Sequence, residues 1–518
     1  MTWMKPSSAV EEEKVIYQKQ SLGKRTLKGA IWLLIGRIYR QVLFLGRALV
    51  LGRLLAPHDF GLVGLGDLAI MFLGVLTYTG FGEALVQRPI ITPAVIHTAW
   101  WVMLGRSLAL ASALWFMAPF IAALAHAPAA TPILQALALV QVLSGFTSMG
   151  TILLNKDMEF RKLLKLDVCG VTIDLLVAIT AAILWRNAWA LVLGAFAGTL
   201  TRVIVSYIVH PYRPRLVFDL QEAGKLFRFG KWLLFSGFLY FLISKGTDVM
   251  SGFIFGATSL GLYQMASRFG LLPTNHLGEI FSQVLFPAYS LIKDDPQKLT
   301  AAFLKVIQVV TVVIFPLSAI MVVAIGPALP MLLGAKWQGV VSLVPGLALG
   351  GAVQTLLRTG GPLFMATGRP RCFFGLDLAS SLGIVLCIYP LSRLLGLEGL
   401  AWSYAVGVSF GIPIWWGFVR RQSRAKPSEL LVSLAPALLA GLLLAATIWF
   451  PCQIFHLDLS KWSSLGWLTM LVMIGSLVYG TFILLAERCL SDYQPIRASI
   501  KLIQTGLRKE RRDDESFP

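Results

Sequence analysis

The chain has 518 residues, of which 56% are hydrophobic and only 14% are charged, and its formal net charge at pH 7 is +19. A soluble globule of this size could not hide so much apolar surface, which argues against a soluble enzyme or nucleic-acid-binding protein despite the basic pI. The low charge and the 11% of aromatic residues also argue against disorder. The composition predicts a polytopic membrane protein.

Apolar runs long enough for a helix to cross a hydrocarbon core of roughly 30 Å recur along the whole chain. They predict an all-α fold with about fourteen transmembrane helices, or spans. The approximate limits of the predicted spans are 29–54, 60–86, 97–124, 131–154, 166–185, 188–209, 230–256, 258–289, 300–325, 338–364, 373–394, 397–419, 430–450 and 465–486.

The spans fall into two groups of six. Phe60-Gly61-Leu62 after span 1 is matched by Leu260-Gly261-Leu262 after span 7, which indicates a parallel repeat around a central cavity. The predicted divisions are a cytoplasmic arm at 1–28, an N-lobe at 29–215 (spans 1–6), a C-lobe at 216–425 (spans 7–12), two further spans at 426–487 and a basic cytoplasmic tail at 488–518.

The basic residues are distributed unevenly between the two sides of the predicted membrane. Of the 45, the arm, the loops on its side and the tail hold 31 and the opposite loops hold five, when Arg53, Lys231 and Arg393 at the ends of spans are counted with the loops; the other nine lie deeper inside spans. Because Lys and Arg concentrate in cytoplasmic loops, this distribution predicts that both termini are cytoplasmic. The protein would then be a multi-pass protein of the bacterial inner membrane.

Span 1 carries three arginines on one side of an otherwise apolar helix. At about 100° per residue, Arg37, Arg40 and Arg47 fall with Gln41 within a stripe of about 120°. Since arginine pairs bidentately with phosphate and keeps its charge, the stripe is a candidate cationic wall for an anionic substrate. The alternative is that Arg37 and Arg40 extend towards the cytoplasmic head groups.

Other ionisable residues inside spans are further candidates, because such groups are costly in a membrane. Arg106 and Arg202 could complete the cationic wall, extend to the membrane surface, or pair with Asp174 or Glu83. Lys245 and Asp248, three residues apart on one helix face, form either a neutral pair or a switch that an anion or proton opens. The remaining candidates are Arg268 for the cavity and, with Glu83, Asp174 and Asp248, Glu279 and Asp377 for ion coupling.

Two motifs that would indicate nucleotide or zinc chemistry are missing from the sequence. There is no GxxxxGK[ST] phosphate-binding loop and no HExxH zinc motif. We therefore expect no catalytic residues, no metal, no cofactor and no enzymatic activity.

Several segments resemble the bacterial polysaccharide transporter family, the Wzx-type flippases, particularly its colanic-acid exporter branch. They are Leu51–Gly64, Gly80–Pro89, Leu260–Ala266 and Phe286–Tyr289, and the similarity extends from about residue 22 to 425. The resemblance implies two six-helix lobes that carry undecaprenyl-diphosphate-linked oligosaccharide across the cytoplasmic membrane by alternating access. It also implies a role in exopolysaccharide, capsule or O-antigen assembly, with a polymerase and export machinery as possible partners.

Other functions stay open at this point. A lipid II-type flippase and a cation-coupled multidrug antiporter belong to the same wider exporter group, although an antiporter for cations predicts an acidic or aromatic cavity. A membrane-embedded polymerase or glycosyltransferase would need a long catalytic loop, and the longest loops have only about 20 and 10 residues. No nucleic-acid partner is expected.

Overall fold

The computed structural model describes residue 32 and residues 35–77, 85, 92–157, 159–274, 285–286, 288–423, 426–454, 465–490 and 493–495. All regular secondary structure in this part of the chain is helical. The predicted N-terminal arm, Glu83, Glu279 and nearly all of the basic tail lie outside the described residues.

Seven helices lead up to the middle of the chain. The first, α1, covers residues 35–54. It is followed by α2 (Pro57–Leu76), α3 (Pro93–Leu124), α4 (Ala130–Gly145), α5 (Gly150–Lys156), α6 (Phe160–Trp185) and α7 (Trp189–Val209).

Ten further helices follow. They are α8 (Leu220–Gly270), α9 (Pro296–Ile320), α10 (Gly326–Leu333), α11 (Val344–Arg358), α12 (Gly360–Ala366), α13 (Pro370–Leu395), α14 (Leu397–Ser409), α15 (Gly411–Ser423), α16 (Pro427–Ile454) and α17 (Leu465–Cys489). A π-helical turn, Met321–Ile325, joins α9 to α10, and a 3₁₀ turn, Ala335–Val340, follows α10.

Helix length and composition fit a membrane protein. Among the described residues, eight helices are long and apolar enough to cross a membrane, or nine if α4 and α5, bent by 61°, count as one span. The predicted all-α polytopic fold is confirmed, whereas the number fourteen stays a prediction. The predicted division between spans 7 and 8 coincides with Gly256, the one break in α8, where φ is 80° and ψ is 178°.

The chain divides into two compact units, residues 1–238 and 239–518. In the first unit, α6 and α7 form a closely packed hairpin, α3 packs on α4, and α4 also contacts α2 and α7. The hairpin turns at Arg186, which has a left-handed φ of 49°. The Asn187 side chain then accepts a hydrogen bond from the Trp189 N–H at 3.1 Å, which supports the start of α7.

The segment 210–219, which leads from α7 into α8, is hydrogen-bonded to the second turn of α3. The Arg215 N–H donates to His97 Nδ1 at 3.2 Å, and the Asp219 N–H donates to Thr98 Oγ1 at 3.0 Å. His97 and Thr98 are buried. Side chains of α3 thus accept hydrogen bonds from two backbone N–H groups of this irregular segment.

In the second unit, α13 packs on α14, α11 packs on α14, and α9 packs on α16, which also contacts α17. Pro316 cannot donate a backbone hydrogen bond to the carbonyl of Val312 one turn earlier. The Tyr479 hydroxyl on α17 donates to that carbonyl instead, at 2.8 Å. Helix α17 thus supplies the donor that Pro316 cannot provide to this carbonyl of α9.

Candidate functional site

The arginine stripe of α1 lies against α6. Arg40 Nη1 is 2.9 Å from Asp167 Oδ2, and the Tyr39 hydroxyl is 2.8 Å from Thr172 Oγ1. The Arg40 and Asp167 side chains are 47% and 38% exposed. Water or head groups can therefore screen this pair, and an exposed pair of this kind stabilises a protein by at most about 1 kcal/mol.

A second ion pair lies two helical turns further along. Arg47 Nη1 is 3.1 Å from Asp174 Oδ2, with side chains 25% and 14% exposed. Both ion pairs join residues that are the same number of positions apart in the chain, so α1 and α6 run parallel with matched seven-residue spacing. Asp174 lies near the middle of α6.

Three glycines allow α6 and α7 to approach closely around Asp174. A Cβ atom on Gly194 would lie 2.5 Å from Asp174 Oδ1, and one on Gly198 would lie 2.6 Å from Asp174 Cβ. A Cβ on Gly170 would lie 2.4 Å from Cγ of Arg202, which is on α7. Any larger residue would displace the helices or the charged side chains, so these glycines create the space for the site.

Arg202 adds a second positive charge to this region, and its charge acts on the Asp174 carboxylate. Three buried side-chain atoms of the site, Arg47 Nε, Arg202 Nε and Asp174 Oδ1, have no hydrogen-bond partner among the described residues. No second carboxylate in this part of the chain is ion-paired with either arginine. Counted over the described residues, the site therefore carries one positive charge in excess and three unused hydrogen-bonding positions.

The structure gives the other predicted cations of the first unit different surroundings. Arg106 Nη2 donates to the Gly74 carbonyl at 2.9 Å, and its Nε donates to Thr77 Oγ1 at 3.2 Å. Arg106 thus binds the C-terminal end of α2, where a cation is favoured by the helix dipole. Arg37 is an exposed residue of α1.

A separate charged cluster lies in the second unit. Lys245 Nζ is 2.8 Å from Asp248 Oδ2, as predicted from their spacing, and the Asp248 side chain is only 3% exposed. The charge of Arg268 also acts on Asp248. The fully buried Tyr263 lies close enough for the Asp248 charge to act on its hydroxyl group.

Asp377, on α13, is partly buried and feels the charge of Arg358. The sequence prediction counted Arg358 among the basic residues inside spans but did not select it. It also overlooked Asp167, Tyr263 and the glycines around Asp174. The signal for Asp167 was present, because the seven-residue spacing of Asp167 and Asp174 repeats the spacing of Arg40 and Arg47.

The described arrangement is an all-helical fold with several helices long enough to cross a membrane, and solved structures share it. The chain is similar to the lipid II flippase MurJ in an inward closed conformation, with a TM-score of 0.67 and 15% identity over 87% of this chain and 98% of that one. It is also similar to an inward-facing multidrug resistance MATE family transporter, with a TM-score of 0.59 and 16% identity over 76% of this chain and 98% of that one. At such identities these likenesses show the fold alone.

Relatives by sequence define the family. The profile of the polysaccharide biosynthesis protein family matches residues 50–342, more than half of the chain. The lipopolysaccharide biosynthesis protein WzxC of Escherichia coli is 26% identical over 71% of this chain and 78% of its own length. The succinoglycan biosynthesis transport protein ExoT of Rhizobium meliloti is 26% identical over 85% and 89%.

The chain therefore belongs to the polysaccharide biosynthesis protein family. This confirms the resemblance predicted from the sequence and the predicted class, a multi-pass membrane protein of polysaccharide transport.

Proposed function

We propose that the chain is a flippase that moves a lipid-linked oligosaccharide, carried on undecaprenyl diphosphate, across the bacterial cytoplasmic membrane. The observation that carries the proposal is the excess positive charge at Arg47, Asp174 and Arg202. Charged groups in a membrane interior are costly unless they are paired, so this site favours an added anion. A diphosphate would supply that anion.

Arginine is suited to this task for a geometric reason. Its planar guanidinium offers donors on Nε and both terminal nitrogens, which match two oxygens of a phosphate group. Arg47 uses Nη1 for Asp174, and its Nε has no partner. The Nε atom of Arg202 is also without a partner. The two arginines thus have donors available for phosphate oxygens.

The sign of the charge bears on the alternatives. A carrier of cationic drugs requires a site with excess carboxylate, and the site in the first unit has the opposite balance. The fold of MurJ leaves a lipid II-type flippase as the nearer alternative. Depletion of the protein in its host separates the two, because we expect an oligosaccharide repeat unit, rather than a peptide-bearing precursor, to accumulate on its lipid carrier.

The experiment that tests the cationic site compares two variants. We expect the double variant Arg47→Ala/Arg202→Ala to lose polymer export and to accumulate the lipid-linked intermediate at normal membrane abundance. Lys298→Ala is the control, since it removes a cation that is 74% exposed and lies outside the site, and we expect normal export from it. Normal export by the double variant would contradict the proposed site.

Ion coupling is a further part of the proposal, and Asp248 and Asp377 are its candidates in the second unit. Asp248 is almost fully buried beside Lys245. A proton or cation that binds the Asp248 carboxylate would break its ion pair with Lys245. The pair could therefore act as a switch that responds to the coupling ion. We expect Asp248→Asn to abolish the dependence of export on the ion gradient, whereas the exposed Asp295→Asn leaves that dependence intact.

We also propose that both termini are cytoplasmic and that a polymerase and the export machinery use the flipped product. The distribution of basic residues supports the orientation. We expect a reporter domain that works only in the cytoplasm to be active when it is fused to the C-terminus, and one that works only in the periplasm to be inactive. The opposite result would contradict the proposed orientation.

A further inference from the structure

The Arg47–Asp174 ion pair is incomplete in a specific way. The recorded ion pair joins Arg47 Nη1 to one carboxylate oxygen, Oδ2, at 3.1 Å. The other oxygen, Oδ1, and Arg47 Nε are both buried without a hydrogen-bond partner. A bidentate pair would use two parallel hydrogen bonds, so the observed pair leaves much of its bonding capacity unused.

The surroundings hold Asp174 in place rather than completing its bonds. Gly194 and Gly198 bring the α7 backbone against this carboxyl group, and Arg202 lies on the same helix one turn after Gly198. The carboxylate is therefore ion-paired with Arg47 and feels the charge of Arg202, while its Oδ1 atom has no hydrogen-bond partner among the described residues. It occupies the position that an anionic ligand of both arginines would take.

We propose that Asp174 is a built-in competitor of the substrate, a specificity-determining carboxylate that stands in for a phosphate group until the diphosphate displaces it from Arg47. This inference rests on the proposed flippase function. A carboxylate oxygen and a phosphate oxygen accept the same kind of charge-assisted hydrogen bond from a guanidinium. Because the diphosphate carries more charge and more oxygens than a single carboxylate, it displaces Asp174 from Arg47 when it is present.

The competitor has a physical purpose in an alternating-access cycle. An empty carrier must return to its starting conformation, and two unpaired arginines in a low-dielectric interior would make that state costly. Asp174 neutralises one of them. It also limits how tightly the head group binds, which keeps release possible on the far side of the membrane.

The sign of the expected effect separates this role from a structural one. A carboxylate that only stabilises the fold would, on removal, weaken binding and stability together. A competitor, on removal, leaves both arginines free for the ligand. We therefore expect Asp174→Asn to bind inorganic pyrophosphate at least tenfold more tightly than the parent protein, while its polymer export falls at least tenfold through slow release.

The chain offers a matched control in the other ion pair of α1 and α6. Asp167→Asn removes the same charge from the same helix face two turns away, where the pair is exposed. We expect it to change pyrophosphate affinity less than twofold. The experiment uses the full chain in lipid nanodiscs, with pyrophosphate affinity measured by calorimetry and export measured in cells.

A measurement on the unaltered protein covers the case in which Asp174→Asn fails to fold. A hydrophobic carbodiimide labels carboxyl groups inside membranes, and mass spectrometry locates the label. Pyrophosphate should raise labelling at Asp174, because it frees this carboxyl group from Arg47, and should leave labelling at Asp167 unchanged. Equal or lower labelling of Asp174 would overturn the inference.

The outcomes distinguish the inference from the function on which it rests. If Arg47→Ala and Arg202→Ala bind pyrophosphate as well as the parent protein does, the cationic site and the proposed function both fail. If those variants lose binding but a folded Asp174→Asn variant binds no more tightly than the parent protein, only the competitor role fails.

Discussion

Gly194 gives the sharpest test of how the site is built. In Gly194→Ala, the new Cβ atom would lie 2.5 Å from Asp174 Oδ1, 2.6 Å from Ala178 Cβ and 2.9 Å from the Asp174 carbonyl oxygen. One of these neighbours is backbone and another is the Cβ of an alanine, so neither can rotate away. The strain must be relieved by moving α6 and α7 apart.

The size of the effect follows from these distances. Ordinary contacts begin near 3.4 Å, so the helices must separate by about 1 Å at this level. Overpacking of this kind costs about 1–3 kcal/mol, and the better helix propensity of alanine returns up to about 1 kcal/mol. We expect a net loss of about 1–2 kcal/mol in the free energy of unfolding, with export lowered at least tenfold, since displacing functional groups by about 1 Å can cost up to a hundredfold.

The assay compares Gly194→Ala with Gly105→Ala, a substitution in α3 where the new Cβ would meet no atom within 4 Å. Thermal unfolding in detergent and polymer export in cells are measured for both variants. Gly105→Ala should match or exceed the stability of the parent protein. If the two variants behave alike in both measurements, close helix packing does not position Asp174, and the reasoning is wrong.

Three further predictions concern stability. Tyr479→Phe removes the hydrogen bond that satisfies the carbonyl freed by Pro316 and should cost about 1 kcal/mol, whereas the exposed Tyr389→Phe should cost nothing measurable by denaturation. Gly256→Ala places a side chain at a left-handed backbone position and should lower the free energy of unfolding by about 1–3 kcal/mol. Gly246→Ala is the control, because its new Cβ would lie in open space, and thermal unfolding of both variants measures the difference. Burial, with nearby positive charges, lowers the pKa of His210 below its ordinary value of 6.5. Since the unfolded chain then binds the proton more readily, stability should fall as pH drops below about 6.5, and a His210→Gln variant should lose less stability over this range when melting temperatures are compared.

The sequence predicts the fold well because its strongest signals are local. Apolar runs and their polar breaks locate helices without knowledge of packing, and even the break at Gly256 falls where the prediction divides two spans. The turn at Arg186 likewise falls between two predicted spans, 166–185 and 188–209. The number of membrane crossings is harder to predict, because a bent pair of short helices such as α4 and α5 can be counted as one span or as none.

The candidate site is less predictable, because it depends on which helices meet. Periodicity places Arg40 and Arg47 on one face of α1 but does not reveal that α6 carries Asp167 and Asp174 in matching register. Arg106 shows the same limit, since its contact with the end of α2 is a tertiary contact that no spacing encodes. The sequence thus identifies the charged residues, and the packing assigns their partners.

The proposed function depends on the charge of the candidate site rather than on the net charge of the chain. Within the described residues the site has a single positive charge in excess from Arg47, Arg202 and Asp174, and single substitutions change that balance stepwise. Arg202→Met leaves a balanced pair, and Asp174→Asn leaves two free arginines. Pyrophosphate affinity should rise from Arg202→Met to the parent protein to Asp174→Asn, because each step adds one positive charge at nearly constant helix packing. An affinity that does not follow the site charge would mean that shape, and not charge, selects the head group.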